Sequence, residues 1–237
     1  MHALIYTAIF GDYDTLKQPV VQDQSCEFVC FTDANIPSST NGWHVVRVNP
    51  DRTLHPRMQA KQFKLLSHNV FPNGRVAMSY APFTLRRPAD ISIWVDASLQ
   101  IKCPSFGRDM HAALGNRDWA MFAHPDRDCI YDEAEVSATM SKYHGLPIFP
   151  QVEAYRSTVP PRDGLYACAV IVRREPASER MKAVNALWWE QNLKWTYQDQ
   201  LSLPYVLRQK RQCEPTRIPG HLWSNKWFDV MPHNADT

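Results

Sequence analysis

Short apolar segments that alternate with helical segments constrain the fold of this chain more than any other feature. Six segments are short and largely apolar, as buried strands are: residues 3–10, 26–32, 43–48, 91–98, 119–123 and 165–173. Helical patterns occupy residues 55–71, 131–144, about 177–194 and about 197–210. Strands that stay apolar along their length are typical of a sheet covered on both faces. The alternation predicts a single-domain α/β sandwich over residues 1–237, with a mainly parallel central sheet and helices on both faces.

The composition is that of a globular protein and argues against several classes. With 237 residues, of which 44% are hydrophobic, the chain can form one large core. Its net charge of +2 gives no basis for sequence-independent nucleic-acid binding. We expect no membrane span, because no run of about 18 apolar residues is present, and no signal peptide. Six scattered cysteines form no CxxC pair, so we expect reduced thiols in a cytoplasmic protein.

Polar or flexible groups follow three of the predicted strands. The first strand runs into Gly11–Asp14, the second ends at Asp33, and the fourth ends at Asp96, which precedes the small residues Ala97 and Ser98. Open α/β sheets bind ligands at the carboxyl ends of their strands, so parallel strands would bring these groups to one edge. Each group taken singly is also explained by an ordinary turn.

The predicted helix at 55–71 carries a basic face. At 100° per residue, Arg57, Lys61, Lys64 and His68 lie within roughly 40° of a common line. A solvated cationic face is the alternative interpretation. Arg57, however, lies in the first turn, where the helix dipole disfavours a cation. A helix start with Arg57 and Lys61 would suit a diphosphate. No P-loop and no GxGxxG follows the first strand, which argues against nucleotide triphosphatases and dinucleotide-dependent dehydrogenases.

An ordered set of segments resembles a known family. They are YTAIFGDYD (6–14), FVCFTD (28–33), the basic helix, IWVDAS (93–98), AHPDRDCIYDEA (123–134), GLYACAVIVRR (164–174) and YQDQLSLPYVL (197–207). The set resembles the glycosyltransferase-like family once catalogued as a domain of unknown function, which includes hexosyltransferase-like proteins of plant mucilage synthesis. The resemblance covers residues 4 to about 210. This family is similar to GT-A glycosyltransferases, which implies a GT-A-like sandwich.

The resemblance implies a nucleotide-sugar donor, often accompanied by Mn²⁺ or Mg²⁺. The nucleotide-binding part would be about 1–100 and the acceptor-side part about 101–237. Asp96 stands where the GT-A Asp-x-Asp motif would end its strand. The first loop and Asp33 would hold base and ribose, while Arg57 and Lys61 would face the diphosphate. The donor-binding residues implied are Thr7, Ala8, Phe10, Asp14, Asp33, Arg57, Lys61, Asp96, Ala97 and Ser98.

Two departures from the family pattern stand out. The motif reads Asp-Ala-Ser, so a second metal-binding carboxylate is missing, which leaves metal dependence open. The metal ligands implied are Asp96 and a late histidine, His221, for which simple packing beside Trp223 is the alternative. The segment at 75–90 is longer than the family's usual link and carries three arginines, so we expect it to help choose an acceptor.

The remaining site residues follow later strands and helices. The resemblance places His124, Arg127 and Gln200 on the side of the sugar or acceptor. Asp199 and Glu133 are the implied catalytic carboxylates, as a proton acceptor or as a group that stabilises positive charge. Helix capping is the alternative for both carboxylates.

Together these features predict a cytoplasmic glycosyltransferase. It would transfer a hexose or similar sugar from a nucleotide-sugar to a hydroxyl of a glycan, a lipid, a protein or a modified nucleic-acid base. One alternative is a catalytically weak nucleotide- or sugar-binding module. Another is a metal-dependent hydrolase that uses His124, Asp126 and Glu133, although no HExxH-type spacing supports it.

Overall fold

A sheet of eight strands forms the centre of the computed structural model, which describes residues 1–20 and 25–232. The strands are β1 Ala3–Ile9, β2 Cys26–Thr32, β3 Ser39–Thr40, β4 Trp43–Arg47, β5 Ile91–Val95, β6 Leu99–Ile101, β7 Trp119–Ala123, β8 Tyr166–Arg174, β9 Thr216–Arg217 and β10 Phe228–Val230. The order in the large sheet is β3-β4-β2-β1-β5-β8-β7-β9, and β6 and β10 form a small antiparallel pair.

Seven helices accompany these strands in the described residues. They are α1 Pro56–Leu65, α2 Ser67–Val70, α3 Phe106–Leu114, α4 Ile130–Ala138, α5 Ile148–Tyr155, α6 Glu179–Lys194 and α7 Asp199–Gln209. Single 3₁₀ turns occupy Pro72–Gly74, Met78–Tyr80 and Ser141–Tyr143.

The strand directions explain where a ligand site can form. Strands β4, β2, β1 and β5 are all parallel, and β8 runs antiparallel to both β5 and β7. Strand β7 therefore points the same way as β5, and the carboxyl ends of β1, β5 and β7 share one edge of the sheet. The predicted α/β fold with a mainly parallel sheet is confirmed, while the antiparallel direction of β8 is a feature that the prediction did not include.

Both faces of the sheet are buried, as its apolar strands predict. In β1, Ala3 and Ile5 pack on one face against α3, whereas Leu4 and Tyr6 pack on the other face with side chains of α1, α6 and α7. A third apolar cluster is formed by side chains of α4, α5 and α7. Helices on both faces give the predicted sandwich.

Several predicted boundaries are wrong for local reasons. The helix predicted at 55–71 ends at Leu65, because Leu66 has non-helical dihedral angles (φ −98°, ψ 38°), and α2 follows. The helix predicted at 131–144 ends at Ala138 and is followed by a separate 3₁₀ turn. Strand β5 stops at Val95, since Asp96 begins a turn in which its carbonyl accepts the Leu99 N–H at 2.9 Å.

In the segment at 75–90, Tyr80 packs against Phe31 near the carboxyl end of β2, whereas residues 86–90 lie at the amino ends of β1 and β2, at the edge of the sheet opposite to Asp96. The Arg86 backbone N–H donates to the Glu27 carboxylate at 3.1 Å, and the Arg87 guanidinium donates to the Met1 carbonyl at 2.7 Å. The positions of Arg86 and Arg87 lend no support to the expected role of the segment in choosing an acceptor, which stays a prediction.

Candidate active site

Two adjoining pockets lie at the carboxyl edge of β1, β5 and β7. The first pocket lies between the end of β1, the loop after it and the start of α1, and contains about 710 Å³ of space, including its open mouth. The second pocket lies below the ends of β5 and β7 and the start of α7, and contains about 840 Å³. The residues that line both pockets are Lys61, Asp96, Lys142 and Tyr143.

The structure brings most of the predicted site residues to these pockets. Those in the first pocket are Ala8, Phe10, Asp14, Arg57, Lys61, Asp96 and Ala97. Those in the second are Lys61, Asp96, Ser98, His124, Arg127, Glu133, Asp199 and Gln200.

Three of the predicted site residues line neither pocket. Thr7 is fully buried within β1. The Asp33 carboxylate accepts the Gly11 N–H, at 3.1 and 3.3 Å to its two oxygens, and so fixes the loop that forms one wall of the first pocket. His221 is exposed, and its Nδ1 accepts the Trp223 backbone N–H at 3.2 Å.

Tyrosine rings form a wall of the first pocket. The Arg57 guanidinium carbon lies 3.5 Å from the centre of the Tyr13 ring and 6.0 Å from that of Tyr197. The Tyr143 and Tyr197 rings are 5.8 Å apart, and the Tyr197 hydroxyl donates to the Lys142 carbonyl at 2.6 Å. His55 holds the start of α1, because its Nδ1 accepts the Arg57 N–H at 3.2 Å. Flat rings and a guanidinium suit the stacking of a planar ligand group.

Four charged side chains meet where the two pockets join, and we call them the ion-pair cluster: Lys61, Lys64, Asp96 and Asp199. Both ammonium groups lie 2.7 Å from Oδ2 of Asp199, and Lys64 also lies 3.1 Å from Oδ1 of Asp96. The Trp94 indole N–H donates to the same Asp96 oxygen at 2.6 Å. Lys64 and Asp199 are buried, so these charges are compensated by one another rather than by water.

The ion-pair cluster shifts the ionisation of its members. Burial acts to lower the pKa of Lys64, but the carboxylates of Asp199 and Asp96 outweigh it and raise that pKa above its ordinary value. Burial acts to raise the pKa of Asp199, but Lys61 and Lys64 outweigh it and lower that pKa. Burial lowers the pKa of Lys61. The interpretation of this helix face as a solvated cationic surface is therefore wrong for Lys64.

Glu133 is the centre of a second polar group. Its carboxylate accepts from the Arg127 Nε at 2.6 Å, from Gln198 at 3.1 Å and from the Ser137 hydroxyl at 3.2 Å. His124 Nε2 lies 3.4 Å from it. Because these partners come from other parts of the chain as well as from α4, Glu133 does more than cap a helix.

The proton of His124 is assigned to Nε2 from its hydrogen bonds. Its Nδ1 accepts the backbone N–H groups of Asp126 at 3.2 Å and Arg127 at 3.0 Å, so Nε2 carries the hydrogen and faces Glu133. Burial lowers the pKa of His124. In this tautomer the single N–H of the neutral imidazole faces Glu133 and the other nitrogen already accepts two hydrogen bonds, so His124 is not placed to accept a proton.

Asp199 is not a side-chain cap of α7. The N-cap position is Gln198, which makes no side-chain capping hydrogen bond, and Asp199 directs its carboxylate to the two lysines. The capping interpretation of Asp199 is therefore wrong.

The donor set fits a protein-held metal poorly. Across residues 1–20 and 25–232, no group of three or more His, Cys, Asp or Glu side chains is arranged to hold a metal ion. Asp96 is in contact with a lysine, Ser98 is a weak ligand, and exposed His221 is not among the residues that line either pocket. Magnesium sites often use one or two carboxylates together with substrate phosphates. The described residues do not form a metal site by themselves, and the expected Mn²⁺ or Mg²⁺ stays a prediction.

Several pocket residues were not singled out as site residues from the sequence. Lys64 belongs to the predicted basic face, but helical periodicity does not say which neighbour covers that face. Tyr13 and Tyr197 lie inside the family-like segments, next to predicted residues. Lys142 and Tyr143 come from a 3₁₀ turn in a segment predicted to be helical, and no motif marks them.

This arrangement places a polar cleft of two adjoining pockets on an α/β sandwich, and the comparisons with known proteins identify the family. Residues 1–220 match the model of the TOD1/MUCI70 glycosyltransferase-like domain, so the chain belongs to this family, and the resemblance found in the sequence is confirmed. The chain is also similar to an Arabidopsis thaliana protein named alkaline ceramidase TOD1, with 26% identity over 178 residues. That match covers 64% of this chain and 35% of the relative, so it spans about a third of the relative's length.

No helix in the described parts of the chain combines the length and the apolar character that a membrane crossing requires.

Proposed function

We propose that this protein transfers a sugar from a nucleotide-sugar to a hydroxyl group of an acceptor. The nucleotide occupies the first pocket, with its base among the tyrosines, and the transferred sugar, a hexose or similar, occupies the second pocket. The observation that carries the proposal is the position of the ion-pair cluster at the junction of the two pockets, where a diphosphate between the two parts of such a donor would lie.

The charge in the cleft supports an anionic ligand. Among the described residues that line the two pockets, the cations are Arg57, Lys61, Lys64, Arg127 and Lys142, and the carboxylates are Asp14, Asp96, Glu133 and Asp199. Cations outnumber carboxylates even though a divalent metal would favour the opposite balance. We propose that Lys61, Lys64 and Arg57 donate hydrogen bonds to the diphosphate, and that its binding does not depend on a metal.

The two predicted catalytic carboxylates take different parts in this proposal. Asp199 is ionised and contacted by two ammonium groups, so it suits stabilisation of positive charge near the anomeric carbon better than removal of a proton. Glu133 is held by Arg127 and Gln198 and faces the Nε2–H of His124, so in this proposal it positions these side chains beside the bound sugar.

Nucleotide titration tests the proposal. The nucleoside diphosphates UDP, GDP, ADP and CDP and their free nucleosides are titrated into the wild type, Lys61→Ala and the control Lys102→Ala. Lys102 is exposed and pairs with Asp229, and neither residue lines either pocket. We expect Lys61→Ala to weaken the best diphosphate about tenfold or more while the nucleoside changes little, since each charge-assisted hydrogen bond is worth about 1.5–3 kcal/mol. Repetition in EDTA should change the affinity by less than about threefold.

Other results would contradict the proposal. If Lys61→Ala lost affinity equally for the diphosphate and the nucleoside, Lys61 would not contact the diphosphate. If EDTA abolished all binding, the binding would require a metal ion. If the protein bound the sugar nucleotide but neither transferred nor hydrolysed its sugar, it would be a binding module rather than a transferase. Release of fatty acid from ceramide micelles, with no nucleotide affinity, would favour the activity in the name of the Arabidopsis relative.

A further inference from the structure

Trp223 presents an aromatic ring at the mouth of the second pocket that the fold leaves uncovered. Its side chain lines this pocket and is 53% exposed, whereas Trp119 and Trp188 are fully buried in the core. A single exposed apolar side chain is common on protein surfaces, but a tryptophan that lines a pocket gives a bound ligand a large, flat apolar surface.

The turn that carries Trp223 is held from several sides. The backbone N–H of Trp223 donates to His221, and its indole N–H donates to Oδ2 of Asp126 at 3.3 Å. The Asn225 amide donates to the carbonyls of His221 and Leu222 at 3.3 and 2.7 Å, and Leu222 is buried in the core. The ring is thus fixed in place before any ligand arrives, which reduces the entropy lost on binding.

The surroundings of the ring select what can cover it. The same pocket is lined by His124, Arg127 and Gln200, and the ion-pair cluster lies at its inner end. A lipid chain in this pocket would desolvate charged and amide groups without replacing their hydrogen bonds. A pyranose ring has an apolar face of C–H groups and an edge of hydroxyls, so it can pack on the indole and still satisfy the polar side chains.

We propose that Trp223 is the platform of an acceptor subsite for a sugar ring, and that the acceptor is therefore a carbohydrate. The inference rests on the proposed transfer, because only then must an acceptor bind beside the donor sugar. The indole packs against the apolar face of the acceptor ring, and Arg127 and Gln200 bind its hydroxyls. Trp223 is a specificity-determining residue in this proposal and takes no part in the chemistry.

Oligosaccharide binding tests the subsite. Short neutral and uronic-acid-containing oligosaccharides are titrated calorimetrically into the wild type, Trp223→Ala, Trp223→Phe and the control Phe149→Ala. Phe149 is similarly exposed, at 49%, but lies on a separate groove along α5. We expect at least one oligosaccharide to bind the wild type, with a loss of about tenfold or more in Trp223→Ala. Trp223→Phe should retain most of the affinity, and Phe149→Ala all of it.

The affinity of the best nucleoside diphosphate is measured in the same proteins and should not change. Equal oligosaccharide affinity in Trp223→Ala and wild type would overturn the inference. So would an absence of oligosaccharide binding by a wild type that binds nucleotide, or a preference for phosphatidylcholine vesicles that contain ceramide. Oligosaccharide binding through Trp223 without any nucleotide affinity would refute sugar transfer while retaining the sugar site.

Discussion

The carboxylate of Asp199 is almost fully buried at the wall of the second pocket and receives two ammonium groups on one oxygen. Two cations close together repel each other, and Asp199 is the group that holds Lys61 and Lys64 side by side. Its removal takes from both ammonium groups their shortest carboxylate contact and leaves Lys64 with Asp96 alone, which is more costly than the loss of an ion pair on the surface.

We predict that Asp199→Asn lowers the free energy of unfolding by about 3–5 kcal/mol, because it breaks a buried pair. Urea denaturation at pH 7 measures the loss. Since the lysines lower the pKa of Asp199 in the folded state, its stabilisation is fully present above about pH 4. It declines as the pH falls through the lower folded pKa, so the difference between variant and wild type should shrink in acid.

Asp229→Asn provides the matched control, since the pair between Asp229 and Lys102 is exposed on both sides. Its unfolding midpoint should stay near that of the wild type. If Asp199→Asn were as stable as this control, the ion-pair cluster would contribute nothing to the fold.

At the scale of elements, the loop after β1 and the start of α1 depend on one glycine. Gly11 has φ +64°, and a Cβ there would lie 2.8 Å from Cγ of Pro56, the first residue of α1. We expect Gly11→Ala to destabilise the protein by about 1–3 kcal/mol. It should also weaken nucleoside diphosphate binding by roughly tenfold, because Pro56 must move and carries Arg57 with it. Thermal unfolding and calorimetric titration measure the two effects.

Gly115→Ala separates backbone strain from crowding. Gly115 also has a positive φ, of +56°, but nothing lies within 4 Å of the added Cβ. The Gly115→Ala variant should therefore be less stable than the wild type but bind the nucleotide with the same affinity. An unchanged nucleotide affinity in Gly11→Ala would show that the start of α1 does not shape the first pocket.

The end of β8 brings a carboxyl group into the interior. Burial raises the pKa of Glu175, the residue after β8, to about 7 from its ordinary 4.5, although Ser92 and Arg173 act to lower it. The folded state therefore holds this proton more tightly than the unfolded chain, and stability is lost as the pH rises from about 4.5 to about 7. That loss amounts to about 3 kcal/mol.

We predict that Glu175→Gln flattens this dependence and is more stable than the wild type at pH 8. Urea unfolding at pH 5 and pH 8 checks it, with the exposed Glu190→Gln as the control. A wild-type slope that persists in Glu175→Gln would assign the titration to another group.

Features that depend on the local sequence, such as strands and their ends, could be predicted, whereas features that depend on contacts with distant residues could not. The apolar runs of β1 and β5 and the carboxylate at Asp96 were visible because an abrupt change from apolar to charged marks the end of a strand. The direction of β8 could not be predicted, since an apolar run is compatible with either a parallel or an antiparallel strand. Helix α3 was not predicted, because Gly107 in its first turn is a poor helix former. The fold requires a glycine there, since an added Cβ would lie 2.5 Å from Sγ of Cys26. The inward position of Lys64 depends on Asp199, which is far away in sequence.

At the scale of the whole molecule, one sheet joins the predicted nucleotide part and the predicted acceptor part. The pairing of β5 with β8 runs from Ile91–Arg174 to Val95–Val170, so the two parts share backbone hydrogen bonds in the core. The division near residue 100 stays a prediction about function, and it does not coincide with a gap in the sheet.

We predict a single cooperative unfolding transition that shifts as a unit when the nucleotide binds. At 100 times its dissociation constant, a ligand stabilises by about 2.7 kcal/mol, or roughly 5–10 °C for a domain of this size. Differential scanning calorimetry should give equal calorimetric and van't Hoff enthalpies. Two transitions, of which the nucleotide moves one, would instead indicate two independent parts.

The ion-pair cluster also constrains how such a protein can diverge. Lys61 and Asp199 are 138 positions apart in the chain, yet loss of Asp199 takes from Lys61 the carboxylate that it contacts at 2.7 Å. After loss of Lys61, by contrast, Asp199 still has Lys64 at 2.7 Å. Substitutions in a lineage should therefore be ordered, with Lys61 replaced before Asp199 or together with it.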